Sequence, residues 1–252
     1  MNKIKLTAIA ILLVCATSSI QAQKDYKASM FGIRSDGVTL NTTSIQKAID
    51  YISENGGGRL VFYVGRYLTG TVYLKSNVTI QLEEGAGLKA STVPYDYNIG
   101  DGSALIIAKD QQNVGITGKG LIDGQGALVN ANIDGQGAKG NFPAGLKTFR
   151  PALIHWENCT NVTLSDIMLL NAGGDVQILM NCNNVKITNV TIKSKVESSG
   201  KGLVLTGCSG FHLADSFVDV SSAPLFMKGA ASKGVQITNS IAANGKKIQA
   251  KN

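Results

Sequence analysis

Short segments of alternating apolar and polar residues recur along the chain. Their first residues are Asn77, Asn113, Asn161, Asn184, Gly210 and Gly234. Alternation with a period of two predicts short β-strands. The starts are 36, 48, 23, 26 and 24 residues apart, and a repeat near 24 residues is typical of a solenoid. We interpret the spacing of 36 as one turn with a loop and the spacing of 48 as two turns.

The same spacing aligns other residue types into columns. Three cysteines, Cys159, Cys182 and Cys208, each lie two residues before a strand start, and Ser232 is next in line. Three thiols cannot all pair internally, and the spacing lacks a CxxC zinc signature. We therefore expect a column of small buried residues. Short polar residues that suit a tight bend also recur after the strands, at Asp166, Asn189, Asp215 and Asn239.

One helix is predicted before the repeats, at residues 43–54. Thr43 and Gln46 match a capping box, and Gly56 to Gly58 would end the helix. Its apolar face, formed by Ile45, Ala48, Ile49 and Ile52, needs a partner. We expect it to cover the N-terminal opening of the solenoid. The C-terminal end shows no comparable cap, which predicts a marginally stable last coil or end-to-end self-association.

A glycine-rich stretch lies between Gly118 and Arg150. It contains Asp123-Gly-Gln-Gly126 and a second copy at Asp134-Gly-Gln-Gly137. No Gly-Lys-Ser/Thr follows and the acids are irregular, so neither a phosphate loop nor a calcium loop is indicated. The stretch is expected to be a long surface loop.

The first 22 residues have the pattern of a signal peptide. Lys3 and Lys5 precede an apolar run ending at Cys15, which is too short to span a bilayer. We predict cleavage near Ala22 and a single domain at residues 23–252, exported to the periplasm or the medium. Acylation at Cys15 is the alternative, although Val14 is large for that processing. No other segment predicts a membrane span.

Composition and charge indicate which classes of molecule this protein is expected to bind. The chain has 29 glycines, 44% hydrophobic residues and a formal charge of +7; removing Lys3 and Lys5 with the leader leaves +5. A mildly basic surface suits an acidic polymer. Nucleic acid is not expected, because stacking aromatics are not interleaved with the lysines. No cofactor or metal is indicated.

Several stretches together resemble the polygalacturonase-type glycoside hydrolases, the pectin-degrading family 28. They are Phe31–Gly37, Gly70–Ile80, Ile116–Gly126 and Arg150–Cys159. The resemblance implies an all-β, right-handed, single-stranded parallel β-helix of the pectin-lyase-like kind. It also implies inverting hydrolysis of galacturonan or related pectic chains, with aspartates as general acid and base. Inverting enzymes hold these two carboxyl groups about 6.5–9.5 Å apart.

The positions that the resemblance assigns to catalysis have changed in this chain. Lys201 replaces one aspartate, and Ser222 and Ala223 replace two more. The family's tryptophan and histidine on the preceding coil fall on Asp175 and Ile178. These replacements predict that hydrolysis has been lost while the fold is retained.

Counting back from the cysteines predicts which strand residues face inward and which face outward. Inward positions are Ile154, Trp156, Leu179, Leu203 and Leu205, with Gln177 as a buried polar exception. Outward rows are His155, Ile178, Val204 and Lys228, and then Glu157, Met180 and Thr206. Asp175 and Lys201 should be neighbours on adjacent coils, forming an ion pair that contributes about 0–1 kcal/mol.

The candidate site residues follow from these rows. We take His155, Asp175, Lys201 and Lys228 as substrate-binding candidates, and Glu157 with Asp175 as the remaining acid and base pair. His155 and His212 are expected about two coils apart, which argues against a joint metal site. Three hypotheses remain: a non-catalytic carbohydrate-binding or accessory protein, which we favour; an active hydrolase using other carboxylates; and a truncated glycosidase fragment.

Overall fold

The computed structural model describes residues 23–100, 102–143, 146 and 148–249. The proposed signal peptide and Cys15 lie outside the described residues. Within these described residues, twenty-two strands form three sheets, here called A, B and C.

Sheet A contains β1 (Asp25–Lys27), β3 (Gly58–Phe62), β6 (Val78–Leu82), β9 (Gln112–Thr117), β12 (Thr160–Ser165), β15 (Asn183–Thr188), β18 (Ser209–Ala214) and β21 (Gln236–Thr238). Sheet B contains β2 (Asp36–Leu40), β4 (Gly65–Thr69), β7 (Ala86–Ala90), β10 (Leu121–Asp123), β13 (Met168–Leu170), β16 (Thr191–Ser194), β19 (Phe217–Val220) and β22 (Ile241–Ala242). Sheet C contains β5 (Val72–Tyr73), β8 (Ala104–Lys109), β11 (Ala152–Glu157), β14 (Gln177–Met180), β17 (Leu203–Thr206) and β20 (Leu225–Met227).

From β5 onward, each coil adds one strand to sheet C, then one to A and one to B. Neighbouring strands are parallel and in register; for example, Val162 lies opposite Val114 and Val185. Parallel crossover connections of this kind are right-handed. The predicted all-β parallel β-helix is therefore confirmed.

The predicted repeat count was wrong at one place. β9 pairs directly with β12, so the spacing of 48 residues is one coil with a long insertion and not two turns. The insertion contains helix α2 (Gly126–Ala138), which buries Val129 and Ile133. The expected surface loop is thus partly helical, and the second Asp-Gly-Gln-Gly copy lies inside the helix. Tertiary burial overrides the low helix propensity of its glycines.

The interior is a stack of apolar rows. In sheet A, one row is fully buried and runs through Leu60, Ile80, Ile116, Leu164, Ile187 and Leu213. Burial of each such side chain stabilises the fold by about 1.5–3 kcal/mol. Cys159, Cys182 and Cys208 are buried free thiols, which confirms the predicted column.

The bends are stacked as expected, and their chemistry is specific. Asp166, Asn189, Asp215 and Asn239 all have positive φ, between 46° and 60°, where short polar residues are tolerated best. A second stack was not predicted. Asn184, Asn161 and Asn113 also have positive φ, and each donates its side-chain amide to the asparagine of the preceding coil at 2.8–2.9 Å, the last to Asn77.

Helix α1 (Thr42–Glu54) closes the N-terminal end as predicted. It follows β2 and precedes β3, so it takes the place of a sheet C strand in the first coil. The predicted capping box is wrong, because no side chain caps the helix N-terminus. Gln46 instead accepts the Tyr73 backbone N–H at 2.7 Å and donates to the Tyr73 carbonyl at 2.9 Å. Its amide therefore pairs with edge strand β5 as a peptide group would.

The C-terminal end differs from the expectation of an uncapped coil. Residues 246–248 turn back along β22, where Ala242 donates its N–H to Lys246 and Ile248 donates to Ser240. The Ile248 side chain is 4% exposed and joins the main core. This short return covers part of the last coil with very little chain. Neither described helix, at 13 residues, is long enough to cross a membrane.

Candidate functional site

The outward face of sheet C brings the candidate residues onto one surface. One row runs through Tyr73, Ile107, His155, Ile178, Val204 and Phe226. The next row includes Lys109, Glu157, Met180 and Thr206. Lys228 was wrongly placed in the first row. Counting back from Ser232 fails because the extra residues of that coil lie between β20 and Ser232. Phe226 therefore occupies the outward row next to Val204, and the exposed Lys228 lies beyond the end of the strand.

The positions that the family resemblance assigned to the acids meet at the start of these strands. The register that pairs Gln177, Leu203 and Leu225 places Asp175, Lys201 and Ala223 side by side on successive coils. The Lys201 backbone N–H donates to Asp175 Oδ1 at 2.9 Å, and the ammonium lies 3.8 Å from the same oxygen. The expected ion pair is present, and both side chains are about three-quarters buried.

Lys201 has two further contacts. Its Nζ donates to the Ser199 carbonyl at 3.2 Å and lies 5.3 Å from the centre of the Phe226 ring. The lysine is therefore positioned by a carboxylate, a carbonyl and an aromatic face. Sequence reasoning missed Phe226, because the strand register and not the spacing of the repeats places it there.

Glu157 and Asp175 are not brought together. Glu157 lies opposite Met180, five residues beyond Asp175 on the neighbouring strand. At about 3.3 Å per residue this is roughly 16 Å along the strand, beyond the 6.5–9.5 Å range of an inverting pair. Glu157 instead forms an ion pair with Lys109 at 3.3 Å.

His155 is half-buried on the first row. Its Nδ1 lies 3.0 Å from the Gly102 carbonyl, and its Nε2 is buried without a hydrogen-bond partner. His212 lies on sheet A, where its Nε2 is 3.2 Å from the Thr238 hydroxyl. The two histidines are thus on different faces. No group of three metal-ligating side chains occurs among the described residues.

A charged junction beside the site was not predicted from the sequence. Arg150 binds Asp134 of α2 at 2.9 Å and Glu197 of the loop before β17 at 3.2 Å. The hydrogen bond from Arg150 lowers the pKa of Asp134. These contacts fix α2 against the loops that precede sheet C. The sequence shows an arginine at the end of the insertion, but it does not show the partners of this arginine, which lie 16 and 47 residues away along the chain.

The family model for glycosyl hydrolases family 28 matches residues 59–247. The chain belongs to that family.

Relatives of known name and solved structures agree with this assignment. An exo-poly-α-D-galacturonosidase of Dickeya chrysanthemi is 34% identical over 81% of this chain, although the match covers 42% of that enzyme. A candidate glycosyl hydrolase from Parabacteroides merdae ATCC 43184 is 44% identical, with a TM-score of 0.85 over 91% of this chain and 100% of the other. The family 28 exopolygalacturonase of Yersinia enterocolitica shares the fold, with a TM-score of 0.76 and 21% identity over 87% of this chain and 49% of that one.

Proposed function

We propose that this protein is an exported, non-catalytic binder of acidic, pectin-like polysaccharide. The observation that carries the proposal is the row of Asp175, Lys201 and Ala223. Inverting hydrolysis needs one carboxyl group to protonate the leaving oxygen and another to activate water. This row offers a single carboxylate, and that carboxylate accepts the Lys201 N–H and faces its ammonium.

The same residues suit binding of a uronate sugar. The half-buried Phe226 ring holds the Lys201 ammonium over its face, so that the charge is positioned on this surface to meet a sugar carboxylate. Lys228, two residues along the chain, is exposed. The ammonium groups of Lys201 and Lys228 would pair with sugar carboxylates. Such contacts act over about 8–10 Å and are weakened by salt.

Binding is tested by titrating polygalacturonate oligomers into the protein by calorimetry at low and at physiological salt. We expect Lys201→Ala with Lys228→Ala to weaken binding at least tenfold. The matched control is Lys119→Ala with Lys186→Ala, which removes the same charge from exposed positions on other faces. Equal binding by the parent and by the Lys201 and Lys228 double variant would remove these residues from the site.

An active hydrolase is the second candidate, favoured by the relatives that are galacturonan hydrolases by name. A reducing-sugar assay on polygalacturonate and rhamnogalacturonan decides between the two. Turnover that is abolished by Asp175→Asn or by Glu157→Gln would overturn the binding-only proposal. We expect no release of reducing ends from either substrate.

A further inference from the structure

The outward face of sheet B carries a feature that the proposed function does not use. Its first row, here the apolar row, runs Arg66, Gly87, Leu121, Met168, Thr191, Phe217 and Ile241. Met168 is 38% exposed and Ile241 is 42% exposed. Two residues further along the same strands lies a second row, here the charged row: Leu68, Lys89, Asp123, Leu170, Lys193 and Asp219.

The charged row is self-complementary about Leu170. One strand to either side are Asp123 and Lys193, and two strands to either side are Lys89 and Asp219. If a second sheet B faces this one with its strands in the opposite order, each lysine of the row therefore lies opposite an aspartate. Because neighbouring strands are spaced evenly by about 4.8 Å, the two sets match in position as well as in sign.

The apolar row has a matching shape. Gly87 on β7 has no side chain, and Arg66 lies across it. A hollow of about 300 Å³ lies beside Gly87 on this face, lined by Asp36, Gly37, Arg66, Lys89, Leu121 and Asp123. When a second sheet faces this one in reverse order about β13, its β19 lies over β7, and its Phe217 faces this hollow. An aromatic ring on a guanidinium is a favourable contact.

We propose that sheet B docks face to face on sheet B of a second copy, with a twofold axis parallel to the strands above β13. Met168 and Leu170 then meet their own counterparts, and Phe217 of each copy enters the hollow of the other. Lys89 pairs with Asp219 of the second copy, and Asp123 pairs with its Lys193. A twofold interface of this kind uses one surface patch twice.

Asp219 and Asp123 can still form these ion pairs, although each already has a partner within its own copy. Asp219 Oδ1 is 2.7 Å from Lys195, and Asp123 Oδ1 accepts from Asn171. A carboxylate has a second oxygen with its own lone pairs. The seven strands from β4 to β22 span about 29 Å at 4.8 Å per strand. The strip is narrow for a stable dimer, so we expect a concentration-dependent equilibrium between monomer and dimer.

Charge reversal tests the register. Within one copy, β7 and β19 are four strand spacings apart, about 19 Å, so Lys89 and Asp219 can compensate each other only between copies. By sedimentation velocity, Lys89→Glu or Asp219→Lys alone should weaken self-association at least tenfold. The double variant should return it to within about threefold of the parent. A monomer at all concentrations, or association that is insensitive to these changes, would overturn the proposal.

A cysteine on the axis gives an independent readout. In a Cys15→Ser background the remaining thiols are buried, and Met168→Cys would place two thiols opposite each other. We expect a short bis-maleimide to crosslink this variant to a dimer. Thr163→Cys, equally exposed on sheet A, should stay monomeric under the same treatment. Comparable crosslinking of both variants, or of neither, would contradict the proposed axis.

Discussion

Gln177 is the polar residue that the apolar interior accommodates least well. It is fully buried between Ile154 and Leu203 on the neighbouring coils, and neither atom of its amide has a hydrogen-bond partner. Replacement by methionine keeps the length and approximate volume of the side chain while removing both polar atoms. We therefore expect Gln177→Met to stabilise the protein.

The size of the effect follows from the two unpaired groups. Each buried donor or acceptor without a partner costs about 1–3 kcal/mol, and a polar group buried in this way has no compensating gain. Allowing for imperfect packing of the thioether, the free energy of unfolding should rise by about 2 kcal/mol. For a domain of this size that corresponds to a rise in Tm of about 4–8 °C.

Thermal unfolding followed by circular dichroism measures the shift, and urea unfolding checks that the m-value is unchanged. Gln81→Met is the matched control. Gln81 points outward and makes side-chain hydrogen bonds to Thr117 and Glu83, so its replacement should bring no gain. A lower Tm for Gln177→Met would refute the reasoning. It would indicate that an internal water or another polar group satisfies the amide.

Three further outcomes are expected. Asn161 has a φ of 56°, so Asn161→Ala should destabilise by about 1–2 kcal/mol and Asn161→Gly by less, because glycine tolerates that conformation; equal losses in urea unfolding would refute this. Hydrogen bonding to Cys159 and burial raise the pKa of the Cys182 thiol, so a maleimide should label it only after denaturation, as mass spectrometry would show. Hydrogen bonds from Thr39 lower the pKa of Asp36 to about 2; its contribution is present above about pH 4 and lost as pH falls towards 2, so the Tm difference between parent and Asp36→Asn should shrink over that window.

The fold could be predicted from the sequence because each coil must bury a strand and make a bend in the same way, and so uses the same residue types at the same positions. Alternating residues, a small residue such as Cys182 and a short polar residue such as Asn189 recur in step, and each occurrence supports the others. The insertion containing α2 had no such support. Its glycines hid the helix, and its length happened to equal two repeats. Only the pairing of β9 with β12 distinguishes an insertion from an extra coil.

The site was harder to predict because it consists of departures from the repeat. The ion pair of Asp175 and Lys201 was predicted, since both residues lie at the same distance from a cysteine. Lys228 was misplaced because one coil carries its extra residues after β20, which shifts the outward row by two positions and puts Phe226 on the surface. Counting from a column is reliable only where no extra residue lies between the column and the site.

This difference decides where substitutions are informative. In a solenoid, a residue that repeats from coil to coil mainly contributes to stacking, and its loss weakens each neighbouring interface in a similar way. Stacking between coils does not explain the presence of a residue that departs from the repeat. Lys201 stands where the resemblance expects an acid, and Gln177 stays unpaired in the core. The binding titration of the Lys201 variant and the thermal unfolding of Gln177→Met therefore test two separate explanations, a role in binding for the first residue and an internal water for the second.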